Sequence, residues 1–415
     1  MKRRIYPLVL ATSLMLCLAG CGKEKKPDSD AGITALEPDQ KFTESTVDFS
    51  IRLLQTDGQD AISSGKNVLI SPESVTTALA MTTNGADNKT KDQLYQAICP
   101  GLTQDEVNSY LYSFNNQISD SEDISFNIAN SIWINDEMPI EVREDFITTS
   151  REYFNSEIYK SPFSDGIQDK VNSWCDEKTN HMIPKILNTA PTDTVLMLVN
   201  AIAFDGEWED PYEDNQIKEG CTFTSYNGTK QTVTMLSSNE SYYLSDDSCT
   251  GVIKNYKGRD FAFMALLPNE DIDMQDFVND MTADSFISLF NNKTSEEVIT
   301  QIPEFTYDYD TDLVNSFKQM GVTDAFDPDT ADFSKMVTDT DFEIFIGSIV
   351  HKTHIELDRN GTKASAATIV TEKSEAGPSP ENQPKRVILD RPFVYAIIDT
   401  RTGIPIFLGV LNTMQ

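Results

Sequence analysis

The chain has 415 residues, 39% hydrophobic and 24% charged, the composition of a globular protein with a sizeable core rather than a disordered or many-times membrane-spanning one. Its formal charge is −33, with 33 basic residues against 66 acidic, so nucleic acid and anionic lipid are excluded as expected partners. Three histidines in the whole chain are a thin supply for acid–base catalysis or metal binding.

At the N-terminus, Lys2, Arg3 and Arg4 precede an apolar run over residues 5–18, an export-type leader that is too short to span a bilayer comfortably. It ends in Leu18-Ala19-Gly20-Cys21, which resembles a bacterial lipoprotein signal. Residues 1–20 are then a signal peptide, and Cys21 is the lipidated first residue of the mature chain. The expected location is the outer face of a bacterial membrane, held by N-terminal lipid only. An ordinary secretory signal with an incidental cysteine is the alternative, and gives a secreted protein. Loss of the leader leaves 30 basic residues against 66 acidic, a net charge of −36. Residues 21–46, charged and carrying Pro27 and Pro38, read as a flexible tether, and 47–415 as one domain.

Within that domain an amphipathic pattern predicts a helix over residues 47–54, followed by a short strand over 67–72. Ser71 or Ser74 can cap the next helix, whose apolar face is Val75, Ala78, Leu79 and Met81 and which ends near Asn84-Gly85. Residues 126–134 alternate as a central strand does, and 195–204 form a nearly continuous apolar run suited to a sheet covered on both faces. Strands over 231–235, 242–244 and 261–268, separated by polar turns, indicate an antiparallel β-rich region. Cys99, Cys175, Cys221 and Cys249 lack metal-site spacing; they are free thiols or form one of three pairings. His351 and His354, three apart in a predicted strand, face opposite sides and cannot share a metal ion, so no metal or cofactor is expected.

The most informative stretch is Gly361-Thr362-Lys363-Ala364-Ser365-Ala366-Ala367-Thr368. Ala favours helix and Thr favours strand, so the propensities conflict. With a period of two, Thr362, Ala364, Ala366, Thr368 and Val370 share a small, uncharged face that could slide into a sheet without overpacking it. A flexible linker is the bland alternative.

The flanking sequence resembles the serpin family. Its motifs appear as Ser71-Pro72-Glu73-Ser74, Gly85 to Thr90, Asn130 with Trp133, Thr179-Asn180 to Pro184, Leu198-Val199-Asn200-Ala201 with Gly206 and Trp208, Arg391-Pro392-Phe393, and the Gly361-Thr362 hinge with its Ala-rich continuation. The resemblance implies an α+β fold with three β-sheets, about nine helices and an exposed reactive-centre loop over about 359–384. It implies no enzyme activity, but suicide inhibition of a serine protease, with a cysteine protease as the second target class. Attack on the loop gives an acyl-enzyme, and the freed loop enters the main sheet with the protease attached. A non-inhibitory serpin acting as a binding or carrier protein is the alternative. A monomer is expected, with the target protease as its partner.

The resemblance also assigns sites. The hinge is Gly361, Thr362, Ala364, Ser365, Ala366, Ala367 and Thr368, and the reactive bond, counted from Gly361, is Glu375-Ala376. Ser71, Ser74, Asn200 and His351 form the shutter, with His351 satisfied by Asn200. At the breach beside Trp208, the family's acidic and basic partners are reversed in sign as Arg359 and Glu304, which are expected to pair.

Overall fold

The structure, a computed structural model, describes residues 33, 35–119, 124–137, 140–163, 166–189, 196–338, 344–362 and 384–414. It is α+β, as expected. Ten α-helices are present among the described residues: α1 (Gln40–Asp57), α2 (Gln59–Ser63), α3 (Pro72–Thr83), α4 (Asn88–Ile98), α5 (Gln104–Ser119), α6 (Glu144–Phe154), α7 (Ile167–Lys178), α8 (Met274–Asp280), α9 (Ala283–Asn291) and α10 (Val314–Gln319). The first begins inside the stretch expected to be tether. Asp39 caps it by accepting from the Phe42 N–H at 2.9 Å, and Phe42 is fully buried against Tyr110.

One sheet has six strands in the order β10 (Phe305–Asp312), β11 (Val350–Leu357), β12 (Gly361–Thr362), β4 (Leu196–Glu207), β2 (Ile124–Asn135) and β3 (Glu157–Ser161). The other has nine. Its main path is β1 (Val68–Ile70), β15 (Pro405–Leu411), β14 (Phe393–Asp399), β8 (Phe261–Pro268), β7 (Cys249–Asn255), β6 (Lys230–Ser245), β9 (Thr294–Pro303) and β13 (Lys385–Ile388), with β5 (Ile217–Thr224) paired to β6.

Three sheets were expected; among the described residues the ladders run together into two, because residues 231–235 and 242–244 are not separate strands. They are the two ends of β6, which pairs with β5 at its start, β7 at its end and β9 along most of its length. A register shift between Glu240 and Tyr242 marks a bulge, and a bulge lets a long strand bend from one layer into the next without a turn.

Burial explains the apolar runs. Every residue of β8, β14 and β15 is buried, so both faces of these strands are covered and period-two alternation is lost. Helix α3 is similar: eleven of its twelve residues are buried between the sheets and α1, α4, α5 and α6. All four described cysteines are free, with Cys99, Cys175 and Cys249 buried.

Packing between β1, β15 and β14 depends on Gly409, where an added Cβ would lie 2.7 Å from the Tyr395 ring and 2.8 Å from the Val68 carbonyl oxygen. Gly409→Ala should therefore lower stability by about 1–3 kcal/mol, the usual cost of overpacking, with a matching fall in the thermal melting midpoint.

Candidate functional site at the parting of the six-stranded sheet

Strands β4 and β11 run parallel on either side of β12, which fills only the top of the space between them. Gly361 pairs with Glu207, and Thr362 pairs with Gly206 on one side and Leu357 on the other. Among the described residues, no ladder joins β4 to β11 below that point. A cavity of about 690 Å3 opens there, floored by α3 and walled by residues that include Leu79, Leu198, Asn200, Ile349 and His351.

The top is fastened through the turn that precedes the hinge. Asp358 folds it by accepting from the N–H groups of Asn360 (2.7 Å) and Gly361 (3.1 Å). Trp208 then grips its backbone twice, donating from its indole to the Asp358 carbonyl at 2.9 Å and from its main chain to that of Asn360 at 2.8 Å. Tyr212 donates its N–H to the Arg359 carbonyl. Tyr256 stacks flat on Trp208 with centroids 4.5 Å apart, and its hydroxyl meets the buried Thr362 hydroxyl at 2.6 Å. Gly361 lies so close to β4 that a Cβ would sit 2.1 Å from the Gly206 carbonyl oxygen, and only glycine fits.

Behind these aromatic rings is a charge that sequence reading missed. Lys254 is 2% exposed; its ammonium lies 2.9 Å from Glu240 and over the rings of Tyr212 (4.5 Å) and Trp208 (5.4 Å). The available signal was its place in β7, two residues after the buried Val252 and so on the same face.

The expected Arg359–Glu304 pair is not formed. The Arg359 guanidinium turns outward to Asp214 at 2.6 Å and to the Tyr212 carbonyl at 3.2 Å. With its carbonyl held by Tyr212, the crest of the turn presents Arg359 to solvent, and the pair it makes is a surface one. Glu304 instead has its carboxyl raised above the usual range, by burial first and then by Asp358, against the opposing effects of the Arg359 N–H and charge.

At the base of the gap, the four residues expected to form the shutter make two contacts between elements, Ser71 with His351 and Ser74 with Asn200. Ser71 caps α3: its hydroxyl accepts from the Ser74 N–H and donates to the Ile406 carbonyl at 2.9 Å. The Ser74 hydroxyl donates to Asn200 Oδ1, and Asn200 Nδ2 donates to Asn130 Oδ1 at 2.7 Å. Asn130, unassigned from sequence, donates on to the Phe154 carbonyl. His351 is satisfied by Ser71, not by Asn200 as expected: Nε2 accepts the Ser71 N–H at 3.0 Å. Asn200 is on β4 and His351 on β11, so the open gap separates them. Burial pushes the imidazole down to about 4, opposed by Asp310, so His351 is neutral with its proton on Nδ1. The Ser71 hydroxyl is committed to helix capping and to Ile406, which leaves no serine–histidine dyad.

A sequence profile of the Serpin (serine protease inhibitor) family matches residues 44–413. The chain belongs to the serpin family. It is 28% identical to an uncharacterized serpin-like protein of Methanosarcina acetivorans over 97% of this chain and 95% of that one. The structure resembles that of tengpin, a thermophilic serpin, in its native state, with a TM-score of 0.85 and 36% identity over 92% of this chain and 96% of tengpin. Against tengpin in its latent state the TM-score is 0.80, at 33% identity over 92% and 100% of the two chains. The family consists of protease inhibitors, not enzymes.

Of the residues expected in this serpin to form the hinge, Gly361 and Thr362 are described. Ala364, Ser365, Ala366, Ala367, Thr368, Glu375, Ala376 and Cys21 lie outside the described residues. The buried Lys254–Glu240 pair gives a direct test of how the top is held. Lys254→Met strands the Glu240 carboxylate and should cost about 3–5 kcal/mol, while adding Glu240→Gln to it should recover most of that loss in denaturant titrations.

Proposed function

We propose that this serpin is inhibitory, and that it traps a serine protease by inserting its cleaved loop between β4 and β11; a cysteine protease is the second target class. The observation that carries this reading is the placement of Gly361 and Thr362 as a two-residue strand at the head of a gap that holds no other strand among the described residues. Extending the same antiparallel register would set Ala364 between Phe204 and Ile355, Ala366 between Ile202 and Thr353, and Thr368 between Asn200 and His351. Thr362 faces the interior, so these positions share its face. Their side chains are small and uncharged, as an inserted strand requires. Thr368 would bring its hydroxyl to the level of the Asn200 amide and the His351 ring.

Thirteen residues from Thr362 to a cut after Glu375 would span about 43 Å at ~3.3 Å each, enough to carry an attached protease far along the sheet. Backbone hydrogen bonds at ~0.5–1.5 kcal/mol net apiece would contribute on the order of 10 kcal/mol to the inserted form, so the intact form is metastable. A carrier role leaves the uncharged inward face without a purpose. The leader and Cys21 support export with lipid attachment to the outer face of a bacterial membrane, and labelling with a radioactive fatty acid, lost in Cys21→Ser, tests it.

Incubation with a panel of proteases should give a complex that survives SDS, and N-terminal sequencing of the released C-terminal peptide should read from Ala376. A first residue outside 374–377 sinks the count. Ala366→Arg should leave a folded protein that is cleaved but no longer traps, because the inserted strand would bury an unpaired guanidinium beside Ile202. Full trapping by that variant rules out insertion as the mechanism.

A further inference from the structure

A buried carboxyl lies next to the shutter. Glu73 sits in the first turn of α3, between Ser71, which binds His351, and Ser74, which binds Asn200. It is 1% exposed. The elements packed on α3 are α1, α4, α5, α6, β4 and β15, and no charged side chain from any of them acts on its titration; only Thr77 and Asn115 do.

The hydrogen bonds around it lack one proton. Thr77 donates its hydroxyl to Glu73 Oε1 at 2.7 Å, and Asn115 Nδ2 donates to the Thr77 oxygen at 3.0 Å. Glu73 Oε2 and Asn115 Oδ1 remain, both buried and both without a donor. Turning the Asn115 carboxamide over moves the shortage without curing it, since Thr77 has a single hydroxyl proton to give. Two buried acceptors without a donor are costly, and a charged carboxylate in an apolar layer more so. A proton on Oε2 removes the buried charge and puts an O–H donor beside the Asn115 side chain, which with Thr77 acts on this carboxyl.

We infer that Glu73 is a proton-operated latch beneath the parting of the sheet: protonated, it ties α3 to α5 through Asn115; ionised, it loosens the helix start on which both sides of the gap rest. Burial raises the Glu73 carboxyl to about 7, against the lowering effect of Thr77 and Asn115. A folded-state value above the unfolded one means stabilisation that is complete below about 4.5 and is lost as pH rises through 7. His351, the other titratable group at this helix start, is neutral throughout that range and charges only on the acid side. The latch is a property of the intact fold. On the inhibitory reading above, it also makes loop entry faster in alkaline medium.

The test uses the full-length intact protein and Glu73→Gln, whose side-chain amide can donate to Asn115 without a charge. Wild type and variant should melt together at pH 5, and the variant should melt several degrees higher at pH 8.5. The contribution of His351 cancels in that difference. Wild type at pH 6 should also show the infrared carbonyl band of a protonated carboxyl, missing from the variant and lost from wild type at pH 9. If Gln prevents folding, Glu73→Met, of similar volume, takes its place. A melting difference that does not change with pH, or no carboxyl band at pH 6, overturns the latch. Failure to trap any protease would count against the inhibitory reading and leave the latch standing.

Discussion

Two neighbouring strands that share no backbone hydrogen bonds are the condition on which the rest of this molecule depends. Strands β4 and β11 both pair with β12 at Gly361 and Thr362, and among the described residues no strand lies between them below that point. Strand edges that face each other across an empty gap are a template for a further strand, so such a sheet persists only if its margins are held. The top margin is held by Trp208, Tyr212 and Tyr256 on the hinge turn, and the bottom by polar bonds from α3 to Asn200 and His351. These two clasps differ in kind: one is aromatic and backed by a buried ion pair, the other a set of neutral hydrogen bonds around a helix cap.

That difference bears on what each clasp can respond to. The upper one contains Lys254 and Glu240, whose mutual attraction in a dry setting is insensitive to salt. Arg359 and Asp214, outside it, form a surface pair of the kind that contributes little to stability. The lower clasp is neutral but includes two buried titratable groups, His351 and Glu73, which resist charging in opposite directions. The closed sheet is thus best supported in the range where neither is charged.

Much of this was legible in the sequence, and the exceptions have physical causes. Cap, strand and hinge signals are local, so Ser71, β2, β4 and the Gly361-Thr362 pattern could be read directly. Convergence of Ser71, Ser74, Asn200 and His351 came from family resemblance, since no local pattern brings residues 71 and 351 together. The continuity of β6 was hidden because a bulge looks like a turn when only polarity is read. The Arg359–Glu304 pairing failed because charge complementarity ignores where a turn aims its side chains. An acid at Glu73, in a helix first turn where the dipole favours one, carries no mark of burial in its local sequence. Only the packing of α3 on nearly all sides showed that it lies in the interior. Lys254 was missed because a single lysine in a strand usually faces solvent.

The pairing of β1 with β15 joins Val68 to Val410 and Ile70 to Leu408, across most of the chain. Residues 405–411 are flanked by β1 on one side and β14 on the other, and each of them is buried. A ribosome must therefore have released nearly the whole polypeptide before the nine-stranded sheet can close, and its N-terminal strand waits unpaired until then. Closure of the core is thus one of the last events in the making of this chain, and its early segments must stay free of wrong partners until residues 405–411 arrive.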